Sequence, residues 1–343
     1  MRRILLLSLA VACAAGPLAA QSAELTGAGS SFAYPLYSKW AAEYHAKSGV
    51  KVNYQSIGSG GGIRQFSEMI VDFGGTDGPM TDEQIAKAKG GAVLHLPTAM
   101  GAVAITYNLP QLKRALRLDG AVLADIYRGV VTRWNDPRLV VLNPGVALPA
   151  ADILVVHRAD GSGTTYAFTD YLSAVNPDWA AGPGKGTDVK WPVGLGGKGS
   201  EGVTGQVKQL PGAIGYVELS YANQNHLPTA QIRNARGEFV APSSSAVTAA
   251  AAGAITALPA NTDYRISIVN APGRGAYPIS SLTWILMYKT QQDAVKGKQL
   301  LDFVRWGLTE GQRYEAALDY APLPPAMARR LLKQLGSVRI ATR

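Results

Sequence analysis

The sequence predicts an α/β fold with mostly parallel sheets, on three observations. Short apolar runs alternate with helical patterns along the chain, as in strand–helix–strand units. The runs have strand length and are bounded by Gly, Pro, Asn or Asp. Of 343 residues, 47% are hydrophobic and 17% charged, which describes a folded chain with one large or two ordinary domains.

The elements follow in order. Arg2 and Arg3 precede an apolar run, Ile4 to Ala12, then small residues and Pro17. That is the plan of a secretory signal, too short to span a bilayer, with cleavage expected near Ala23. Cys13, the only cysteine, lies inside it. The alternative is a lipid-anchored Cys13, but the leucine of "LAVAC" stands one place too far upstream. "KVNYQSIG" (51–58) reads as a strand, "VDFGGTD" (71–77) as a short strand into a turn. Residues 92–108 read as two strands broken at Pro97; 152–160 and 212–222 read as buried strands. Helical patterns cover 35–47, 62–70, 164–174, 291–308 and 326–335. The Gly-rich stretch 182–202 is expected to be a long surface loop.

The net charge is +9. Such an excess suits a binder of small anions or of nucleic acid, or only sets solubility. No basic cluster, zinc spacing or aromatic RNA-binding motif accompanies it, so no nucleic-acid partner is expected. Serines in Gly-rich turns suggest a hydrolase, yet none sits in a Gly-x-Ser-x-Gly elbow. His45, His95, His157 and His226 form no metal spacing and no relay. No enzyme activity, cofactor or metal is expected.

Three segments share one design: "GAGSSFAYPLYSKW" (27–40), "SIGSGGGIRQFSEM" (56–69) and "RADGSGTTYAFTDYL" (158–172). Each runs Gly, then Ser or Thr, then helix. Glycine allows close backbone approach, hydroxyls donate, and a helix start presents unpaired N–H groups and the positive end of its dipole. One such start is an ordinary helix cap; three raise the case for a shared anion site. Arg158 offers a planar donor fork, and Asp160 can hold it or cap the following helix. Asp77, in "FGGTDGP", reads as a turn residue, or as an acceptor for the proton that phosphate carries and sulfate lacks.

"LTGAGSSFAYPLYSKW", "VNYQSIGSGGGI", "VDFGGTDGPMTDEQ", "RADGSGTTYAFTDYL", "VKWPVGLGGKGSEGV" and "LPGAIGYVELSYA" together resemble the PstS family of periplasmic phosphate-binding proteins of Pst ABC importers. The segments occur in family order over nearly all the mature chain. The resemblance implies a two-lobed periplasmic binding protein of type II, with phosphate in the cleft between lobes. Residues 1–23 would be the signal peptide, 24–104 plus 276–343 one discontinuous lobe, and 105–275 the other. The crossings would lie near 102–105 and 276–278. It further implies phosphate donors at Ser31, Phe32, Ser59, Ser162, Gly163 and Thr164. Asp77 would accept the phosphate proton, Arg158 would pair with the anion, and Asp160 would orient Arg158. Expected partners are inorganic phosphate and inner-membrane permease subunits of the PstC/PstA type, with the protein a periplasmic monomer. Two positions depart from the family pattern. Ser31 replaces a threonine, and His157 stands where well-known relatives carry another arginine; its alternation with Arg158 turns it away from the ligand.

Overall fold

A computed structural model describes residues 24–256, 258–259 and 262–341. The expected signal segment and Cys13 lie outside the described residues. The chain opens with β1 (Leu25–Gly29), α1 (Tyr34–Ser48), β2 (Val52–Ser56), α2 (Ser59–Ser67) and β3 (Phe73–Thr76). The long β4 (Val93–Tyr107) is followed by β5 (Leu154–Arg158) and α3 (Gly163–Val175). Then come β6 (Leu195–Gly197), α4 (Gly199–Gln209), β7 (Ala213–Glu218), α5 (Leu219–Gln224) and β8 (Ser280–Tyr288). Helices at Ala294–Gly307 and Pro325–Leu335 fall where the apolar periodicity places them.

One eight-stranded sheet runs in the order β2-β1-β3-β8-β4-β7-β5-β6. β1 pairs in parallel with β2 and β3 at one end, and β5 in parallel with β7 and β6 at the other. The antiparallel ladders lie in the middle, at β3–β8, β8–β4 and β4–β7. β4 changes partner within its own length. Ala102 faces Ser280 of β8, and the next residue, Val103, faces Glu218 of β7. One strand therefore belongs to both halves of the sheet. Its near-continuous apolar sequence fits, since β4 is buried on both faces along nearly all its length.

The structure corrects three expectations. Residues 92–108 form one strand, not two, because the sheet absorbs Pro97 in an irregularity. The register shifts between Thr283 and Trp284, which face Ala99 and Pro97, so Thr98 has no direct partner. The stretch 182–202 is not all loop, since it contains β6 and the start of α4. The strand β8 was not anticipated; its nine residues are all buried.

Aromatic residues anchor the interior. Trp40, Trp134, Trp179 and Trp284 are each fully buried. A side chain of that size contributes at least the roughly 1.5–3 kcal/mol of a buried Leu or Phe. Trp40 packs edge-on against Phe303 and Trp306, which fixes α1 to the Ala294–Gly307 helix. Trp284 donates from its indole to the carbonyl of Tyr264, tying 264 to β8.

Candidate functional site

Strand ends and helix starts from both halves of the sheet converge on Asp77, which is 1% exposed. Its Oδ1 accepts hydrogen bonds from Ser30 Oγ and from Thr283 Oγ1 at 2.8 Å. Its Oδ2 receives Ser59 Oγ at a longer 3.3 Å, and Ser59 Oγ accepts the Asp77 N–H at 3.2 Å. Burial pushes the carboxyl up to about 6, against the pull of the Ser30 and Thr283 hydroxyls, the Arg158 charge and Ser59. Asp77 is thus a buried acceptor, ionised at neutral pH, in the middle of donors.

Arg158 ends β5 and is 3% exposed. Its Nε and Nη2 bind the two oxygens of Asp160 at 2.7 and 2.6 Å. Its Nη1 lies 3.4 Å from Thr164 Oγ1, on the side away from that pair. Its backbone N–H donates to the Tyr216 hydroxyl at 3.1 Å. Burial alone would raise Asp160; the Arg158 fork and the Gly199 N–H at 3.0 Å outweigh it and hold the carboxyl below its usual range. The guanidinium is held in plane, with one edge spent on Asp160 and Nη1 directed toward Thr164.

The three helix starts differ in local structure. Only α3 carries a side-chain cap: Ser162, in extended conformation, accepts the Thr165 N–H. That role, left open for Asp160 by the sequence, falls to Ser162. α1 and α2 begin at Ala33 and Gly58 without side-chain caps, so Ser31 and Ser59 are not spent on their own helices. The N–H groups of Ser31 and Phe32 find no acceptor among the described residues, though both residues are buried. Phe32 itself is an anchor. Its ring meets Tyr320 edge-on at 6.1 Å and its carbonyl accepts the Tyr320 hydroxyl. Gly163 and Thr164 open α3, where first-turn N–H groups have no intrahelical partner. Gly163 lies so close that a Cβ there would stand 2.6 Å from Asp77 N, Asp77 Oδ2 and Ser59 Oγ. Gly58, at φ 80°, brings its backbone against Asp160 in the same way.

The expected residues Ser31, Phe32, Ser59, Asp77, Arg158, Asp160, Ser162, Gly163 and Thr164 are thereby gathered at one place. The sequence reading missed Ser30, Thr283 and a fourth helix start. Gly199–Gln209 begins with Gly-Ser, the same design as the other three, and "GGKGSEG" carried that signal. Ser200 N–H donates to Ser31 Oγ at 3.2 Å, and the two hydroxyls lie 3.0 Å apart. Tyr221 donates to the Ser31 carbonyl at 2.8 Å, while Ser56 reaches Glu201 at 3.3 Å. Gly60 N–H binds Gly161 O at 2.8 Å. The two halves of the sheet therefore touch across the site.

The histidines stand apart. His157 stacks on Trp191 at 4.8 Å, away from Asp77. His95 is buried and accepts the Met80 N–H; burial, with the nearby Arg265 charge, lowers it to about 4. Among the described residues no group of His, Cys, Asp and Glu could hold a metal ion.

A model of the PBP superfamily domain matches residues 14–308. The chain is 45% identical over 312 residues to the phosphate-binding protein PstS of Xylella fastidiosa (strain Temecula1), covering 91% of this chain and 84% of that one. The chain belongs to the PstS family. The PstS of Haemophilus influenzae is 43% identical over 306 residues, with 89% and 90% covered. Among solved structures, a high affinity periplasmic phosphate-binding protein, PfluDING, bound with phosphate superposes with a TM-score of 0.72 at 20% identity, covering 90% of this chain and 92% of that one. A phosphate-binding protein from Stenotrophomonas maltophilia gives 0.69 at 20% identity, with 91% and 93% covered. At that identity these structures establish a shared fold, and the PstS relatives carry the family assignment.

Proposed function

We propose that this PstS-family chain binds inorganic phosphate between the two halves of its sheet and delivers it to an ABC importer. The observation that carries this reading is the pairing of a buried, ionised acceptor, Asp77, with a buried guanidinium, Arg158, among unpaired N–H groups. An anion that still carries a proton satisfies both; a fully deprotonated one meets Asp77 acceptor to acceptor. Ser31, Phe32, Ser59, Ser162, Gly163 and Thr164 supply donors, Arg158 the charge, and Asp160 fixes Arg158. Ser31 acts mainly through its N–H, since its hydroxyl engages Ser200. Lobes of 24–104 plus 276–343 and of 105–275, hinged where β4 changes partner, would close over the ion. The names of the PstS relatives support phosphate as ligand. A neighbouring fold described as an ABC-type phosphate transport receptor from Vibrio cholerae supports the importer as partner.

The apolar run behind Arg2 and Arg3 supports export to the periplasm; binding by a monomer, with no catalytic step, completes the reading. No described helix is long and apolar enough to cross a membrane. Calorimetric titration of the mature protein, unfolded and refolded to strip bound ligand, tests the reading. Phosphate should bind one to one and sulfate should not compete at comparable concentration. A protein that binds neither, or that releases phosphate from an ester, would overturn it.

A further inference from the structure

Asp77 presents two unequal oxygens. Oδ1 is held by two hydroxyl donors, Ser30 and Thr283. Ser30 Oγ accepts the Ala33 N–H at 3.0 Å through a lone pair, leaving its hydrogen for Asp77. Thr283 Oγ1 lies 2.8 Å from Asp77 Oδ1 and 3.3 Å from the Thr76 carbonyl, so the carboxylate is the nearer acceptor. The Thr283 backbone is itself pinned. Thr98, at the register shift opposite it, donates to its carbonyl at 3.2 Å and pairs with the Tyr37 hydroxyl at 2.7 Å. Oδ2 has only the 3.3 Å contact from Ser59 and faces Gly163 at the start of α3.

We propose that Ser30 and Thr283 are specificity-determining positioning residues, which hold Asp77 Oδ1 so that Oδ2 alone reads the proton on the bound anion. This rests on the phosphate reading above. A carboxylate with two hydroxyls on one oxygen cannot turn freely about its last bond, and both hydroxyls favour its charged form. It can then accept from protonated phosphate and only repel sulfate. Without Thr283, Asp77 takes up a proton more readily and can donate to sulfate. Arg158 from β5 also bears on Asp77 and favours its charged form. The Tyr37, Tyr54 and Tyr320 phenols around it are raised by burial and remain neutral. Among these protein groups, Asp77 is the one whose charge changes in the working pH range.

The test is competition calorimetry with phosphate and sulfate from roughly pH 5 to 8.5 on stripped wild type, Thr283→Val, Thr283→Ser and Ser30→Ala. Thr283→Val keeps the shape and removes the hydroxyl. Its phosphate-over-sulfate ratio should fall by about tenfold or more near neutral pH. The pH at which the ratio collapses should move up. Thr283→Ser should restore both, and Ser30→Ala should shift both in the same direction. Where Thr283→Val fails to melt cooperatively, Ser30→Ala decides. A variant that loses affinity for both anions equally, with the wild-type pH midpoint, overturns the proposal. A wild type that does not bind phosphate would sink the phosphate reading instead, which is a different result.

Discussion

Arg158 and Asp77 are both buried charges, yet they fail differently when changed. Arg158 works through its plane: two parallel bonds to Asp160 set the direction of the remaining N–H groups. Arg158→Lys keeps the charge and loses the fork. Losing a charge-assisted hydrogen bond costs about 1.5–3 kcal/mol, so phosphate affinity should fall by about one to two decades in calorimetric titration. Undiminished affinity would show that charge alone suffices. Asp77 links binding to pH. Its folded-state value of about 6 lies above the ordinary 3.8. Between those values the folded protein holds a proton that the unfolded chain has lost. Its contribution to ligand-free stability is therefore greatest at low pH and declines as pH rises through about 6, on a scale of about 3 kcal/mol. Asp77→Asn should flatten that part of the slope. Melting stripped wild type and variant at roughly pH 4.5 and 7.5 checks it, and identical slopes would refute it. The buried carboxyls of Glu218 and Glu315 slope the same way and cancel in the comparison. Arg158 and Asp160 were legible because they are neighbours in sequence and in the site; the local sequence of Asp77 reads as a turn, and its acceptor role came with the family resemblance. Ser30 and Thr283 were not legible: they reach Asp77 from 47 and 206 residues away, and although Ser30 lies in the first Gly-Ser helix start, nothing local ties either residue to Asp77.

At the scale of elements, the site is a meeting of helix starts, and the glycines decide how near they come. Gly163→Ala should insert a methyl among Asp77 N, Asp77 Oδ2 and Ser59 Oγ. Asp77 N is backbone and cannot yield, and Asp77 Oδ2 and Ser59 Oγ are held by their hydrogen bonds. Phosphate affinity is expected to drop by more than about tenfold, while the circular dichroism spectrum and cooperative melting remain. An alanine variant with full affinity would mean that α3 does not approach Asp77 as closely as described. α1, α2, α3 and the helices Ala294–Gly307 and Pro325–Leu335 were legible from their apolar spacing, whereas Gly120–Tyr127, capped by Asp119, was not. Strand β8 was not, because "SSLTWILMY" is apolar on both faces and periodicity cannot separate such a run from a buried helix. Pro97 misled for a related reason. Proline signals a break in an isolated strand, and only the opposite strand shows that the ladder skips Thr98. The first halves of the Gly-rich segments were legible as helix entries; the entry at Gly199 was hidden in a run long enough to pass for loop.

At the scale of the whole molecule, β4 joins the two halves without interruption, and the halves touch through Ser31–Ser200, Tyr221–Ser31, Ser56–Glu201 and Gly60–Gly161. Those contacts around the site are polar, and away from it Arg265 adds an ion pair to Asp82. They offer little stabilisation without an ion to draw donors inward. Removing phosphate should let the halves part about β4, with a larger radius of gyration by solution scattering than in the phosphate-bound form. Superimposable curves from a sample verified to be phosphate-free would mean that the touching state persists unliganded.

The Gly60–Gly161 contact has a consequence for genetics. Its hydrogen bond is made by backbone alone, and a Cβ added at either residue would lie 3.0 or 3.1 Å from the other's Cα. A scan that deletes side chains finds nothing to delete here and would score the pair as silent. A saturation library selected for growth on scarce phosphate should instead register larger residues as depleted at both positions. Second-site suppressors of such alleles would have to arise in the surrounding turns, because neither glycine can be made smaller to accommodate its neighbour.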